Sequence, residues 1–347
     1  MYCPYIKRYT ERFEKHNIEY EVLFWNRAGL ALNMPKNYKY FDLKSDESSK
    51  AEKKLIDFFR FRHWLKKSIR QSKPDKLIVL STLSGMVMPD ILKRYKNRYI
   101  FDIRDYSYEN IRLFYNIEKK IIENSTFTAI SSKGFEAFLP QHSYVIAHNF
   151  NRNDMKDQRE FQKSGKPIKL VWNGTVRFFE FQKNYIDALK NDERFLMVYH
   201  GNGTDLEKYK NYCKENNIRN VIFTGSYENS EKARLLADAG ILNNCYGGKS
   251  GDELRFAVSN RFYDGLIYGI PQLVESGGYK ASLVKQINVG TDMKADKNFA
   301  DKLYDYYMSI DEKQFNSHGK EALEEIIKED DIYINEIDKF IREGQRD

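Results

Sequence analysis

Ile168-Lys169-Leu170-Val171-Trp172-Asn173-Gly174-Thr175-Val176-Arg177 runs from a short apolar stretch straight into a glycine turn. The apolar part, 168–172, has the length of a strand buried on both faces, and Gly174 lets the backbone turn sharply. A helix is expected over 185–191 and a second apolar strand over 195–200, so this stretch opens a βαβ unit. The alternation then continues, with strands expected at 220–223, 240–242 and 271–274. Helices are expected at 206–216, 231–237 and 261–268, and residues 299–342 read as three helices. Parallel sheet is the consequence of this order.

Working upstream, strands are expected at 20–25, 76–80, 99–103, 126–130 and 144–147. Helices are expected at 49–71, 89–95, 110–123 and 133–138. Residues 151–167 are polar, contain Ser164-Gly165-Lys166-Pro167, and read as a linker. The expected organisation is an α/β protein with a first domain over 1–150, the linker, a second domain over 168–310 and C-terminal helices over 311–347 that pack back on the first domain. The first element is a helix, 6–16, so the opening strand of the first domain is expected to be missing.

Bulk properties bound the rest. The 347 residues are 41% hydrophobic and 31% charged, which is a globular composition. The 25 Tyr and 23 Phe are expected mostly in cores and interfaces. Cys3, Cys213 and Cys245 form no CxxC pair, which argues against a zinc site or a disulfide framework and for a reducing compartment. No run approaches the roughly 20 apolar residues of a membrane span. The start, Met1 to Arg8, lacks a signal-peptide core, so a soluble cytoplasmic protein is expected. Residues 1–150 carry 27 Lys+Arg against 17 Asp+Glu (+10) and residues 151–347 carry 30 against 33 (−3), which recovers the net +7. A basic first half suits a nucleic acid, an anionic membrane or a phosphorylated substrate, and equally an ordinary solvated surface.

Parallel α/β sheets bind ligands where strands hand over to helices. In the first such turn of the second domain, Gly174 is followed by Arg177 and, six residues on, by Lys183. The two cations would converge at the start of the next helix and clamp a diphosphate. The second turn carries Gly201-Asn202-Gly203 and the third Thr224-Gly225-Ser226-Tyr227, where an aromatic ring can border a nucleobase. The fourth segment, Asn260-Arg261-Phe262-Tyr263-Asp264-Gly265-Leu266-Ile267-Tyr268-Gly269-Ile270-Pro271, opens a helix, caps it with Gly269 and prevents its continuation with Pro271. Asp264 lies early in that helix, where a carboxylate can accept hydrogen bonds from ribose hydroxyls. Each feature also has a plain reading: solvated cations, tight turns, and an acid favoured by the helix dipole.

In order and spacing these pieces resemble the donor half of a GT-B glycosyltransferase, family 4-like. The correspondence rests on Gly174, Arg177 and Lys183, then Gly201 and Gly203, then Val221-Ile222-Phe223-Thr224-Gly225, then Asn260, Arg261, Asp264, Gly269 and Pro271. Upstream, Phe101-Asp102-Ile103-Arg104-Asp105 and Thr128-Ala129-Ile130-Ser131-Ser132 are similar to strand ends of the same family, so the resemblance spans roughly residues 75–290.

The resemblance implies two Rossmann-like domains facing a cleft and retaining transfer of a sugar from a nucleotide-diphosphate sugar, UDP- or GDP-linked. It implies no cofactor and no obligatory metal. Arg177 and Lys183 would take the departing diphosphate, Asp264 the ribose, and Gly225 and Tyr227 the base. Asp102, Arg104, Asp105 and Ser131 would face the acceptor, a glycan or polyprenyl-linked molecule in bacterial polysaccharide or capsule assembly. The family's usual Glu is Asp at 264, and its acidic partner falls at Phe256, with Glu253 nearby. Two other readings fit the same residues: a non-catalytic partner subunit and a sugar-nucleotide epimerase. No RNP, KH or helix-turn-helix pattern supports nucleic acid.

The segment 50–73 carries nine cations (Lys50, Lys53, Lys54, Arg60, Arg62, Lys66, Lys67, Arg70, Lys73) with Phe58, Phe59, Phe61 and Trp64. It suits either a helix packed on its sheet or a peripheral site on the inner membrane face. His148 and His200 follow strands and read as structural. Glu329-Asp330-Asp331 reads as a solvated face.

Overall fold

A computed structural model describes residues 4–45, 51–247 and 254–343. Lys50 and Cys3, and Glu253 beside Phe256, lie outside the described residues. The chain forms two compact units. Unit 1 comprises Met1–Ser131, Phe138–Ala147 and Glu329–Asp347, and unit 2 comprises Ser132–Ala137 and His148–Lys328. Among the described residues, neighbouring strands of the sheets in both units pair in parallel.

Unit 1 begins with helix α1 (Lys7–Lys15), and among the described residues no strand precedes it. Strands β1 (Val22–Asn26) and β2 (Tyr38–Asp42) form a separate two-stranded sheet. Helix α2 (Ala51–Ser72) follows, then β3 (Leu77–Leu80), α3 (Thr82–Val87), α4 (Pro89–Arg94), β4 (Tyr99–Ile103), α5 (Arg112–Asn124), β5 (Phe127–Ile130) and β6 (Tyr144–Ile146). The last four strands lie in the order β3-β4-β5-β6. Every residue of β4 is buried, because helices cover both faces of a parallel strand.

Unit 2 contains β7 (Ile168–Asn173), α6 (Phe179–Ala188), β8 (Phe195–His200), α7 (Leu206–Glu215), β9 (Val221–Gly225), α8 (Lys232–Leu235) and β10 (Ile241–Asn243). It continues with α9 (Asn260–Ile267), β11 (Gln272–Val274), α10 (Tyr279–Gln286), β12 (Gly290–Asp292) and α11 (Phe299–Ser309). The sheet order is β12-β11-β10-β7-β8-β9. From β7 the chain winds outward through β8 and β9, then returns to the other side of β7 with β10. The carboxyl ends of β7 and β10 therefore form a topological switch point, where such sheets open a crevice for ligands.

The last helix, α12 (Glu312–Arg342), is continuous, so the expected three tail helices are two. No proline interrupts it, and Gly319 has open space around it. Its final turns supply Tyr333, Ile337, Phe340 and Ile341 to the core of unit 1, against Tyr9, Ile100 and Phe127. Asp330 does not belong to a solvated face. It is fully buried and accepts from Arg8 of α1 at 2.7 Å. Sequence periodicity missed β2, α3, α10 and β12, all short, and it started α6 six residues late. Among the described residues no helix is long and apolar enough to cross a membrane.

Candidate functional site

Three glycine turns at the carboxyl ends of β7, β8 and β9 interlock. Gly174 adopts φ +106° and donates its N–H to the His200 carbonyl at 2.9 Å. Gly201, at φ +138°, lies so close that an added Cβ would sit 1.9 Å from the Gly174 carbonyl oxygen. A Cβ on Gly203 would fall 2.1 Å from the Val176 oxygen, and Val176 in turn donates to Asn202 O at 3.0 Å. Gly201 also donates to Gly225 O at 2.8 Å. Gly201 and Gly203 are therefore required for backbone to meet backbone. Gly225 differs: its φ is +81° and a Cβ there would meet open space.

At the switch point, Arg261 opens α9 and is 4% exposed. Its guanidinium stacks over Trp172 of β7, 3.4 Å from the ring centroid, and its Nε donates to Asn173 O at 2.6 Å. Nη1 is buried and has no hydrogen-bond partner among the described residues. An unsatisfied donor on a buried cation is costly, and a guanidinium cannot relieve that cost by losing its proton at physiological pH. Burial pushes its pKa down, the charge of Arg177 adds to this, and Tyr246 and Asp264 oppose it.

Tyr246, three residues past β10, gathers the cations. Its ring lies 4.9 Å from the Arg261 guanidinium, 4.3 Å from Lys280 Nζ and 6.0 Å from exposed Arg177. Lys280 is compensated, by Glu275 at 3.0 Å and by the Asn244 carbonyl at 2.5 Å. Arg261 borders Gly174, whose hypothetical Cβ is 3.8 Å from its Nη2, while the Arg177 guanidinium lies over the Phe178 ring at 4.6 Å. Lys183 lies near the start of α6. Because α6 starts at Phe179, Lys183 falls in its second turn and pairs with Glu180 at 2.8 Å on a solvent-facing side.

Asp264 is 5% exposed and held at both oxygens, by Asn173 Nδ2 at 2.8 Å and by Lys232 Nζ at 2.8 Å. Lys232 also reaches Asp154 at 2.5 Å. Burial disfavours its charge, but the two carboxylates outweigh burial and hold the ammonium well above its usual range. The Tyr227 phenol, half-buried nearby, is raised by burial and then by Asp264. Asn260 is exposed, and its side-chain oxygen accepts from Asn149 at 2.6 Å. Phe256 offers its backbone oxygen to Ser132 Oγ at 2.8 Å. Sequence reading missed Lys232, Tyr246 and Lys280, because nothing in their local pattern marks them. Only the sheet order brings them together.

In unit 1 the strand-end acids behave differently. Asp102 is fully buried and receives Arg104 at 2.6 and 2.8 Å and Tyr9 at 2.7 Å. Arg104 also donates to Ala147 O at 2.7 Å, and Ser131 Oγ donates to the Arg104 carbonyl at 3.1 Å. The expectation that Asp102 orients an acceptor is therefore corrected: it has no accessible atom, and its polar capacity ties β4 to α1. Arg104 and Ser131, 8% exposed each, are committed to the same framework. Asp105 is exposed.

No protein-family model and no curated protein matches the chain. Solved structures do. Sucrose-phosphate synthase from Thermosynechococcus elongatus has TM-score 0.66 at 12% identity, over 91% of this chain and 86% of that one. A glycosyltransferase from Rickettsia africae has TM-score 0.62 at 10% identity, over 96% and 88%. Anabaena HepE in complex with UDP-glucose has TM-score 0.60 at 11% identity, over 92% and 98%. The fold is GT-B. At such identities the likeness establishes the fold and leaves the chemistry to the residues.

Proposed function

We propose that this chain is a glycosyltransferase that moves a sugar from a nucleotide-diphosphate sugar to an acceptor hydroxyl. The observation that carries the reading is the unpartnered Nη1 of buried Arg261 at the β7/β10 switch point, with Arg261 and Arg177 4.9 and 6.0 Å from the same Tyr246 ring. A diphosphate satisfies both cations at once, with the planar guanidinium suited to two phosphate oxygens. Negative charge grows on that diphosphate as the bond from the anomeric carbon to its oxygen breaks, and fixed cations stabilise it there more than in the ground state. Lys183, partly drawn off by Glu180, adds a weaker long-range term.

Asp264, paired with Lys232 and oriented by Asn173, accepts from the ribose, and Tyr227 borders the base. HepE has been solved with UDP-glucose, with UDP and glucose, and with UDP, which supports a uridine donor for a site of this fold. Retention of anomeric configuration, independence of metal, a GDP-linked donor as the alternative, and a glycan or polyprenyl-linked acceptor in polysaccharide or capsule synthesis belong to the same proposal. Asp105 is the acceptor-side residue left open to solvent for that role. Incubation with UDP- and GDP-sugars and candidate acceptors, followed by NMR of the products, tests it. Released nucleoside diphosphate with a new α-linkage from an α-donor supports the reading. An epimerised donor with no acceptor product overturns it in favour of an epimerase, and no turnover despite nucleotide binding points to a non-catalytic subunit.

A further inference from the structure

We propose that helix α2 docks unit 1 onto an anionic lipid surface through an apolar tip made of Leu55, Ile56 and Phe59. The basic, aromatic character of this segment is legible in the sequence, but the structure redistributes its rings. Phe58 and Phe61 turn inward onto Trp25, at 5.4 and 5.3 Å between ring centroids, and Trp64 packs on Phe41 at 6.0 Å. Leu65 and Ile69 complete this inward face, each 6% exposed. Three large apolar side chains point the other way: Leu55 is 59% exposed, Ile56 54% and Phe59 61%.

Helical spacing places these three on one face, with Phe59 four residues after Leu55 and three after Ile56. The same face continues with Arg60, His63 and Lys67, all exposed. Two further cations are engaged elsewhere, since Arg62 and Lys66 both pair with Asp90. Single exposed apolar residues are ordinary. Three within one and a half turns, followed on the same face by exposed cations, match a helix lying in a bilayer interface, with aliphatic and aromatic groups among the acyl chains and cations at the headgroups. The +10 balance of residues 1–150 favours an anionic surface. A nucleic acid would use the cations but give Leu55 and Ile56 no counterpart.

The test is co-sedimentation with phosphatidylcholine vesicles containing about 30 mol% phosphatidylglycerol, and with phosphatidylcholine alone. Three proteins are compared: the full chain, the variant Leu55→Ser/Ile56→Ser/Phe59→Ser, and the variant Arg60→Gln/Lys67→Gln. All five positions are on the exposed face, and thermal melting confirms folding; Phe59→Ser alone serves if the triple variant melts early. The expected result is binding to anionic vesicles, at least about tenfold weaker in the triple variant and weakened in the double variant toward the level seen on neutral vesicles. No binding to anionic vesicles, equal binding to both vesicle types, or unchanged binding by the triple variant overturns the proposal. So does retention by an oligonucleotide or a protein alone. The inference does not depend on the donor site, and nucleotide-induced stabilisation is expected to be the same in all three proteins.

Discussion

Each unit buries an arginine at the end of a strand or the start of a helix, with an aspartate close by in sequence, yet the two pairs are finished differently. In unit 1, Asp102 and Arg104 satisfy each other in a two-pronged pair, and Tyr9 and the Ala147 carbonyl take further capacity. In unit 2, Arg261 gives one donor to Asn173 and leaves Nη1 without a partner among the described residues, while Asp264 spends its oxygens on Asn173 and Lys232 rather than on Arg261. A closed pair is a fastening, whereas an open buried cation is the feature on which the proposed donor site rests. The motif alone does not separate the two, because both read as Arg and Asp at a strand-helix junction.

The comparison breaks first if the closed pair is dispensable. Asp102→Asn leaves the Arg104 guanidinium buried without its counter-charge, and is expected to cost about 3–5 kcal/mol in a denaturant melt. A loss below about 1 kcal/mol would show that the network is not a fastening.

Glu118 sharpens the contrast, because it is a buried charge-bearing group in unit 1 with a way out. Burial first, and then the charge of Glu109, raise its carboxyl from 4.5 to about 8, with Thr82 opposing, so near neutrality it is held as the uncharged acid. A raised folded pKa means that the unfolded chain releases its proton first. This contribution to stability is complete below about pH 4.5, declines across the window up to about 8, and is level above it. Glu118→Gln is expected to flatten the fall of melting temperature over that window, and an unchanged slope would remove Glu118 as its cause. Arg261 has no such escape.

The smallest effect belongs to Lys183. Its pair with Glu180 is surface-exposed, so Lys183→Ala is expected to change stability by less than about 0.5 kcal/mol and nucleotide binding by no more than a few-fold. A loss of binding of a hundredfold would restore it to the clamp beside Arg177.

Much of this was legible before any coordinate. The largely apolar strands at 168–173 and 195–200 and the fully buried 99–103 announce themselves, because a strand covered on both faces is predominantly apolar. Gly269 and Pro271 mark the end of α9 and the approach to β11 for reasons of backbone geometry alone. What stayed hidden depends on long-range pairing. β2, with Tyr38 and Tyr40 only half-buried, has no core of its own and exists as a partner for β1. Lys232 meets Asp264 only because β9 and β10 lie on opposite sides of β7 in the sheet, and Asp102 is withdrawn from solvent only because α1 and the end of α12 close over it. Glycine spacing was read correctly as a turn signal, and the sequence could not show that Gly201 and Gly203 are needed for close approach to the neighbouring turn.

The most direct measurement is a calorimetric and thermal-shift titration of the wild-type chain and Arg261→Met with UDP, GDP, ADP and their sugars. Removing an uncompensated buried charge while keeping a side chain that packs on Trp172 is expected to leave the nucleotide-free protein as stable as wild type, or more so, and to weaken nucleotide binding at least about tenfold. If Arg261→Met binds nucleotide as well as the wild type, or if its main effect is to unfold the nucleotide-free protein, Arg261 is a fastening like Arg104 and the donor site lies elsewhere.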